Sequence, residues 1–412
     1  MRLSQLFTKT SKTVPADEQA INAKLLIQAG FIHKEMAGVY AYLPLGLKVL
    51  DNIKQIVREE MNAIGGQEVM MTVLQPRELF EKTDRWDDKK VDNWFKTKLD
   101  NGSELGLGFT HEEPIVNTLS SYVNSYKDLP IFVYQIQTKF RNEKRAKSGL
   151  LRGREFIMKD MYSLARTPAE HDELYERAAT AYTKVYDRLG IGDITYRTAA
   201  DGGVFTKKFS DEFQTLSPLG EDTIYLDEAK RLAINNEIYT DANLVKLGLD
   251  KSKLVEKRAV EVGNIFPLET KYTNALGVYY TDKNGQQQPI IMGCYGIGIS
   301  RLMGVLAEHF ADNKGLVWPK NIAPAQIYLI GIGDVVKDTT GLYEKLQQQG
   351  IEVLYDDRDV HPGQKFADSE LMGIPYRVTL SEKTLSQNKV ELTNRSSGEI
   401  KLLTADELVA RL

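Results

Sequence analysis

The chain has 412 residues, of which 42% are hydrophobic and 27% charged, and its formal net charge is −4. This balance predicts a large core divided over two or three domains, and it excludes a uniformly basic coat, so that any polyanionic partner must be met by local patches. The single cysteine, Cys294, excludes an internal disulfide framework, and five scattered histidines form no set at zinc spacing, so no zinc is expected.

The opening segment "MRLSQLFTKTSKT" is too polar for a signal peptide. A run of about 18 apolar residues, the length of a membrane span, occurs nowhere in the chain. We therefore expect a cytoplasmic protein that does not enter a membrane.

Apolar residues at helical spacing predict three helices. The first covers residues 16 to 29, after Pro15, and the second runs from about 47 to 64. The third begins with Thr167 as N-cap and Pro168 at its first position, and Glu170 completes a capping box. The predicted apolar stripes, each with the glycine that ends its helix, are Ile21, Leu25 and Ala29 before Gly30; Leu50, Ile53, Val57, Met61 and Ile64 before Gly65; and Leu174, Ala178, Ala181 and Val185 before Gly190.

A strongly basic stretch lies between the second and third helices. Residues 139 to 160, "KFRNEKRAKSGLLRGREFIMKD", contain eight Lys or Arg and three Asp or Glu. Alternation predicts a strand over 131 to 143 and a second one over 151 to 160, and together they are expected to form a long hairpin. The polar face of the first holds Gln135, Gln137, Lys139, Arg141 and Glu143, and one side of the second holds Arg152, Arg154, Phe156 and Met158.

Two interpretations of this hairpin are open. A basic run is usually a solvated surface. However, arginines in register on a strand can hold a phosphate through two parallel hydrogen bonds, and Phe156 among them suits stacking on a base. The chain contains no Walker loop and no GxGxxG that opens a helix, so a nucleotide would have to be held by side chains. Arg301, after the glycine-rich strand "IMGCYGIGIS", supplies a second arginine, although those glycines alone could reflect tight packing.

The segment from about residue 325 alternates strands with helices. It contains "QIYLIGIG", a helix, "IEVLYDD", the helix "ADSELMG" and "YRVTLS", followed by two short strands and a last helix. This order predicts a small α/β domain with a mixed sheet.

Six motifs together resemble one family. They are "FTHEEPI" from residue 109, "YQIQTKFRNE" from 134, "LLRGREFIMKDMYS" from 150, "EVGNIFPLETKYTNALG" from 261, "MGCYGIGISR" from 292 and "DDRDVHPGQKFADSELMGIP" from 356. In this order they resemble the class II aminoacyl-tRNA synthetases, and more narrowly the bacterial-type prolyl-tRNA synthetases, over nearly the whole chain. The resemblance implies an α+β catalytic domain over 1–322, with an antiparallel sheet flanked by helices, and an anticodon-binding α/β domain with a mixed sheet over 323–412.

The resemblance also implies a role for individual residues. Arg141 is expected to contact the α-phosphate of ATP and the proline carboxylate, and Arg301 the γ-phosphate, which makes these two the catalytic residues. Thr110 and Glu112, placed on one face of a strand, are expected to receive the proline imino group. The full expected sets are Arg141, Glu143, Arg152, Phe156, Glu261, Asn264 and Arg301 for ATP, with Glu261 near magnesium; Thr110, Glu112, Arg141, Phe156, Phe266 and Cys294 for proline; and, by residue type only, Arg358 and Lys365 for the anticodon.

The expected reactants are ATP, magnesium, L-proline and tRNA(Pro), and the expected activity is a proline–tRNA ligase that forms prolyl-adenylate. The loop "KRAKSGLL", residues 144 to 151, is expected to reach the acceptor end of the tRNA. The helix near 47 to 64 and the strand to Pro76 correspond to the family's dimer interface, so a homodimer is expected.

The chain departs from the longer bacterial members at three places. Phe109 stands in place of a proline, and Asn264 in place of a histidine. A short linker at about 228–258 replaces the inserted editing domain, so a separate deacylase is an expected partner.

Other interpretations stay open at this point. His111 is expected to face away from Thr110 and to form structural hydrogen bonds, and Cys294 to line a pocket and not to act as a nucleophile. Trp86 and Trp94 could cover the edge of the core or bind a ligand. A sibling synthetase for threonine, histidine or glycine and a non-catalytic paralogue are the alternative functions, and retention of both motif arginines argues against the paralogue.

Overall fold

The computed structural model describes residues 1–14, 16–144, 146 and 148–412. The chain divides into two compact units. The larger unit contains Lys54–Ala146 and Leu151–Leu302. The smaller unit contains Met1–Ile53, Met303–Leu412 and the short segment that ends at Leu150. None of the helices in the described part of the chain is both long and apolar enough to cross a membrane.

Twelve α-helices are found in these residues. They are α1 (Ile21–Gln28), α2 (Pro44–Ala63), α3 (Arg77–Glu81), α4 (Glu112–Leu119), α5 (Pro168–Arg188), α6 (Asp241–Leu247), α7 (Lys271–Ala275), α8 (Ile299–His309), α9 (Val336–Gln348), α10 (Pro362–Met372), α11 (Glu382–Leu385) and α12 (Ala405–Arg411).

The same residues form 21 strands. They are β1 (Ile32–Met36), β2 (Val39–Tyr42), β3 (Gln67–Glu68), β4 (Leu74–Pro76), β5 (Lys96–Lys98), β6 (Glu104–Leu107), β7 (Ile131–Phe140), β8 (Glu155–Ala165), β9 (Thr195–Ala200), β10 (Ser210–Leu216), β11 (Asp222–Asp227), β12 (Leu232–Asn235), β13 (Val255–Glu269), β14 (Tyr279–Thr281), β15 (Gln287–Pro289), β16 (Ile291–Gly298), β17 (Ile327–Ile332), β18 (Val353–Asp356), β19 (Tyr376–Ser381), β20 (Val390–Asn394) and β21 (Ile400–Leu403).

A nine-stranded, largely antiparallel sheet organises the larger unit. Its strand order is β10-β9-β12-β11-β13-β16-β8-β7-β3, and α5 packs across β8, β13 and β16. The predicted hairpin is confirmed, because β7 and β8 pair antiparallel with Lys139 opposite Phe156. The bounds of both strands differ from the prediction: β7 ends at Phe140, earlier than expected, and β8 is shifted, beginning at Glu155 and ending at Ala165, so that Arg152 and Arg154 precede it.

The polar face of β7 is not a solvated surface. Gln135 is 1% exposed and Lys139 fully buried, although alternation placed both opposite the apolar residues. In a central strand both faces are covered by other parts of the protein. The alternation of polar and apolar residues therefore separates the two faces but does not show that either is exposed to solvent. The polar side chains on this face therefore belong to an interior network.

The three predicted helices are present with two corrections. The helix predicted for 16 to 29 begins only at Ile21, which is 45% exposed, and its buried face is Asn22, Ala23 and Leu26. Residues 16 to 20, before Ile21, are not helical. There the Glu18 carboxylate accepts hydrogen bonds from the backbone N–H of Ala20 (3.1 Å) and from Tyr40 Oη (2.8 Å).

The stripes predicted for α2 and α5 are buried, apart from the half-buried Ile64 at the end of the first. Thr167 caps α5 as predicted, but the capping box is only half formed. The Glu170 carboxylate accepts from the backbone N–H of Arg166 (2.7 Å) and not from that of Thr167.

Residues 228 to 258, predicted as a short linker, contribute to the large sheet. They contain β12, which pairs parallel with β9 and antiparallel with β11, then α6 and the first residues of β13. Ile234, Ile238 and Leu244 form a small buried cluster there. The stretch between β11 and β13 is thus a compact part of the larger unit.

The smaller unit has a five-stranded mixed sheet in the order β18-β17-β19-β20-β21. β17 runs parallel to β18 and β19, whereas the remaining pairs are antiparallel, which confirms the predicted mixed α/β domain. At the β18 edge, Arg2 pairs with Tyr355 in parallel and the Tyr355 N–H donates to Met1 O (2.8 Å). The Arg2 guanidinium lies over the rings of Tyr343 and Tyr355, 5.2 Å from each centre.

Candidate active site on the large sheet

Arg141 directly follows β7 at the open end of the hairpin. Its guanidinium carbon lies 5.2 Å from the centre of the Phe156 ring, and its backbone N–H donates to Arg154 O (2.8 Å). No carboxylate among the described residues forms an ion pair with it. Burial and the neighbouring Arg301 cation lower the pKa of Arg141, although a guanidinium remains charged in proteins. An unpaired cation next to a second cation and an aromatic ring is suited to bind an anionic aromatic ligand.

Arg301 lies in the first turn of α8, as predicted. Its Nε donates to Leu151 O (2.8 Å), and its Nη1 contacts the backbone oxygen and the carboxylate of Glu261, the latter at 3.2 Å. The glycines of the preceding strand, β16, are not all required by tight packing. A Cβ at Gly293 would lie 2.3 Å from Tyr295 Oη, which is tight packing, whereas one at Gly296 would meet only ordinary contacts, the nearest at 3.7 Å.

Glu143 and Arg152 form an ion pair at the same end of the sheet. Arg152 Nε donates to Glu143 Oε2 (2.9 Å), and Arg152 Nη1 lies 3.2 Å from Glu221 Oε2. Arg154 Nε donates to the Glu143 backbone oxygen (3.0 Å). Arg152 thereby orients the Glu143 carboxylate, which is predicted to bind the adenine amino group.

An oxygen-rich cluster lies on β10 and β13. Asn264 Nδ2 donates to Glu261 Oε1 (3.1 Å), while Asn264 Oδ1 is buried and has no partner among the described residues. Glu212 lies directly opposite Asn264, and burial together with the Glu261 charge raises the pKa of Glu212 to about 8. Sequence reasoning missed Glu212, although alternation in "SDEFQTL" puts it on one face with Gln214.

These oxygens fit a hard divalent cation better than a soft one. The described residues contain no group of three or more His, Cys, Asp or Glu arranged to hold a metal by themselves. Magnesium characteristically takes one or two protein oxygens and completes its shell with substrate phosphates and water. Glu261 and the unpartnered Asn264 Oδ1 suit that kind of shared site.

Thr110, Glu112 and Cys294 meet in a buried pocket. The Thr110 hydroxyl donates to the Glu112 carboxylate (2.7 and 2.8 Å), and Cys294 Sγ lies 3.1 Å from Glu112 Oε1. Phe266 is opposite Cys294 in the β13–β16 register, and its ring lies 4.6 Å from that of Phe205. The prediction that Thr110 and Glu112 lie on a strand is wrong: Thr110 is in a loop and Glu112 is the first residue of α4. A helix N-terminus is a favourable place for a carboxylate.

His111 faces away from this pocket and is fully buried, as predicted for a structural hydrogen-bonding residue. Its Nε2 lies 3.0 Å from Thr72 O and its Nδ1 2.8 Å from Lys139 Nζ, which in turn lies 2.8 Å from Asp160 Oδ1. Burial and the Lys139 cation lower the pKa of His111 to about 4, so the imidazole is neutral.

Arg85 is a further buried residue that sequence reasoning missed. Its Nη1 lies 3.0 Å from Glu112 and from Glu113. Only a charged stretch, "DRWDDKK", marks it in the sequence. Trp86 and Trp94 lie in an aromatic cluster. Trp94 is buried against Phe80 and Phe109, with Trp86 beside it, which agrees with a role at the edge of the core.

The predicted anticodon residues are both engaged within the smaller unit. Arg358 Nη2 lies 2.7 Å from Asp356 and 2.7 Å from Asp368, and its Nε donates to Asp356 Oδ1 (2.7 Å). Lys365 Nζ donates to Asp356 O (3.2 Å). The Arg358 guanidinium would have to break its ion pairs with Asp356 and Asp368 before it could form hydrogen bonds with a guanine base.

Two family models match the chain. The tRNA synthetase class II core domain (G, H, P, S and T) matches residues 95–310, and the anticodon binding domain matches residues 326–412.

Curated relatives match over the full length. The proline–tRNA ligase of Paracoccus denitrificans is 35% identical over 443 positions, covering 100% of this chain and 97% of the relative. That of Anaplasma phagocytophilum is 35% identical over 427 positions, with 100% of both chains covered. For Desulfitobacterium hafniense the identity is 32%, but the alignment extends over 568 positions, with 100% of this chain and 98% of the relative covered. Some relatives thus carry many residues that the present chain lacks.

Solved structures share the fold. Prolyl-tRNA synthetase from Cryptosporidium parvum, complexed with halofuginone and AMPPNP, superposes with a TM-score of 0.77 at 17% identity, covering 95% of this chain and 75% of that one. The Giardia lamblia prolyl-tRNA synthetase in complex with prolyl-adenylate gives 0.75 at 19% identity, covering 93% and 74%.

Proposed function

The chain belongs to the proline–tRNA ligase family, and from this premise we propose that Arg141 and Arg301 form the phosphate-binding centre of its two-step reaction. The enzyme activates L-proline with ATP to give prolyl-adenylate and then transfers the prolyl group to the 3′ end of tRNA(Pro). The observation that carries the proposal is the unpaired Arg141 guanidinium, stacked on Phe156 and next to Arg301.

ATP is held by side chains along the hairpin. Phe156 stacks on the adenine ring, and the Glu143 carboxylate, fixed by Arg152, accepts a hydrogen bond from the adenine amino group. Arg141 binds the α-phosphate, and Arg301 turns from Glu261 towards the γ-phosphate. Arginines suit this task because the planar guanidinium group can donate two parallel hydrogen bonds to phosphate oxygens.

Proline is held where the buried pocket meets Arg141. Glu112 and Thr110 receive the imino group, while Phe266 and Cys294 line the ring, and Phe156 lies at the border with the nucleotide. Arg141 binds the proline carboxylate as well as the α-phosphate, which brings the two reacting groups together.

The first chemical step needs no general base, because the nucleophile is already a carboxylate. It attacks the α-phosphorus in line, the bond from that phosphorus to the oxygen shared with the β-phosphate breaks, and pyrophosphate leaves. Negative charge develops on the phosphoryl oxygens beside Arg141, which therefore stabilises the transition state more than it stabilises the bound substrate. Glu261 and Asn264 would hold magnesium, which when bound would supply further charge neutralisation. The terminal ribose hydroxyl of the tRNA then attacks the adenylate carbonyl, and AMP leaves.

The two domains divide the work on the tRNA. We place the catalytic domain at 1–322, with residues 228–258 in place of an editing insertion, and the anticodon-binding domain at 323–412. Arg358 and Lys365 remain candidates for base contacts, on condition that a tRNA displaces their carboxylate and carbonyl partners. The loop at residues 144 to 151, assigned to the acceptor end, lies partly outside the described residues.

A homodimer is the proposed assembly. Next to the edge strand β3, the Met70 side chain is 85% exposed, and Leu74, at the start of β4, is 54% exposed. Exposed apolar groups at a sheet edge are typical of protein contacts. Met70→Asp should shift the sedimentation profile towards monomer, whereas Val245→Asp, with 82% of its wild-type side chain exposed, should not. Equal profiles for both variants would contradict this interface.

The cytoplasm is the proposed compartment, because the free thiol of Cys294 stays reduced there. Alanine is the amino acid that we expect the enzyme to activate by error. A pocket for proline excludes the smaller amino acid by only about 1–3 kcal/mol, and residues 220 to 261 leave no space for an editing domain. A free-standing deacylase would then clear alanyl-tRNA(Pro). Hydrolysis of preformed alanyl-tRNA(Pro) by the purified chain, well above background, would refute this.

The function is tested by amino-acid-dependent pyrophosphate exchange. Strong exchange with proline and a weak signal with alanine are expected, and threonine, histidine and glycine should give none. Exchange with none of the five would exclude the proposed active site and favour a non-catalytic relative.

A further inference from the structure

A guanidinium lies between two buried glutamates behind the proline pocket. Arg85 is 2% exposed, and Glu112 and Glu113 are both fully buried. Its Nη1 lies 3.0 Å from an oxygen of each carboxylate and 3.1 Å from Tyr272 Oη. Thr83 Oγ1 donates to the far carboxylate, that of Glu113 (2.7 Å). Arg85 therefore connects the residue proposed to meet the imino group with a second carboxylate that faces away from it.

Aromatic rings fix the orientation of this guanidinium. Its carbon lies 5.0 Å, 5.1 Å and 5.3 Å from the ring centres of Phe109, Phe205 and Tyr272. Its Nε and Nη2 are buried and have no hydrogen-bond partner among the described residues, so the rings are their neighbours in place of acceptors. This leaves Nη1 as the donor to both carboxylates, and a rotation of the group would break both contacts at once.

The two glutamates are not equivalent. Burial opposes the ionisation of Glu112, but Arg85 and the hydrogen bonds from Thr110 and Cys294 hold its pKa below the usual range. Burial raises the pKa of Glu113, and the Glu112 charge adds to that effect. Ionising both of two adjacent carboxylates that share one cation is unfavourable. Glu112, with two side-chain donors besides Arg85 against one for Glu113, keeps the charge.

We propose that Arg85 is a positioning residue for amino-acid recognition, which holds Glu112 as the anionic acceptor of the protonated imino group while Glu113 serves as the second anchor of Arg85. The proposal rests on the role of Glu112 proposed above. It assigns to Arg85 no contact with substrate: its effect on proline passes through the Glu112 carboxylate. The Phe109 ring, which stands in place of the family's proline, is part of the support for that guanidinium.

The test compares Arg85→Met and Arg85→Lys with Arg395→Met in proline-dependent pyrophosphate exchange. Arg395 is a matched control, because its side chain is 5% exposed and pairs with Asp312 and Glu370 in the smaller unit. Arg85→Met should raise KM for proline about tenfold or more with a much smaller change in kcat, because the contact of Glu112 with the imino group, made equally in ground and transition states, is weakened. Arg85→Lys should recover part of the loss. Arg395→Met should leave KM for proline as in the wild type.

The pH profile separates positioning from simple structural support. The wild type should show kcat/KM for proline level from about pH 6 to 8, since Glu112 stays ionised there, whereas Arg85→Met should gain an acid limb as the buried carboxylate loses its cation and its pKa rises. A merely structural role would lower activity equally at every pH. Titratable groups facing Glu112 are Arg85, Glu113, Tyr272, Cys294, His111, Lys139, Arg141, Tyr162 and Lys271.

A second pair of variants keeps the inference testable if Arg85→Met does not fold. Glu112→Gln should raise KM for proline far more than Glu113→Gln, because only the first glutamate carries the required charge. Equal effects of the two, or an unchanged KM and a level pH profile in a folded Arg85→Met enzyme, would overturn the assignment of Arg85. Absence of proline exchange in the wild type would instead refute the proposed function itself.

Discussion

The proposed nucleotide end and the proposed proline end of the site are built in opposite ways. At the nucleotide end the charged side chains remain partly exposed, 47% for Arg152 and 29% for Arg301. At the proline end Glu112 is fully buried and the Arg85 side chain is 3% exposed. Exposed charges suit a ligand that brings several charges of its own, whereas buried, paired groups reject a ligand that leaves them unsatisfied. We therefore expect the nucleotide end to provide affinity for ATP and the proline end to provide selectivity for proline.

Arg141→Ala should have the largest effect, because it would remove the charged group that is assigned to both ends. We expect proline-dependent pyrophosphate exchange to fall by about 10³-fold or more, because a preorganised donor at the developing charge is lost. Arg177→Ala is the matched control, since Arg177 also stacks on a phenylalanine, Phe132, at 5.6 Å. Near-normal exchange in a folded Arg141→Ala enzyme would contradict the assigned centre.

His111 tests the buried end through stability. The pKa of His111 is lowered to about 4 in the fold, so the unfolded chain binds a proton between about pH 6.5 and 4 that the folded chain does not. Stability is thus lost as the pH falls, by about 2 kcal/mol at pH 5 from this residue alone.

His111→Gln should remove that share, so the difference in unfolding free energy between pH 7 and 5, measured in urea, should shrink. His33→Gln is the control, since His33 is exposed. An unchanged pH dependence in His111→Gln would show that the buried network does not exclude the proton.

Thr110→Val should raise KM for proline about tenfold, because a buried carboxylate loses a hydroxyl donor. kcat should change less. Thr215→Val, which removes a buried hydroxyl bonded to Thr195 (2.9 Å) away from the pocket, should cost stability without raising KM for proline. If both variants raise KM alike, the selectivity of the buried end does not depend on this contact.

Arg152→Ala should have the smallest effect. It should raise KM for ATP only a few-fold, since exposed ion pairs contribute less than about 1 kcal/mol, and the difference from wild type should narrow at high salt. Steady-state ATP titrations at low and high ionic strength measure both. If Arg152→Ala reduced pyrophosphate exchange as much as Arg141→Ala does, the proposed difference between the two ends would be wrong.

The structural surroundings of the proposed nucleotide end could be predicted from the sequence to a large extent, and those of the proposed proline end only in part. Arg141, Phe156 and Arg301 lie on or beside elements with strong local signals, an alternating hairpin and a glycine-rich strand before a helix. Alternation also placed Thr110 and Glu112 on a strand, but here the chain leaves a loop and begins α4, and no local pattern reports that change. Arg85 comes from a separate segment, and its partners are set by tertiary packing.

The pairing of the first residues with β18 has a consequence for biosynthesis. Ser4 bonds to Asp357, 353 positions further along the chain, and Arg2 pairs with Tyr355. At about 5–20 residues per second, these partners leave the ribosome roughly 18–70 s after the residues that they join. The larger unit, which needs only residues up to Leu302, can fold in that interval. The segment with Arg2 and Ser4 is thus among the last to find its strand, and it remains without that partner for the whole interval.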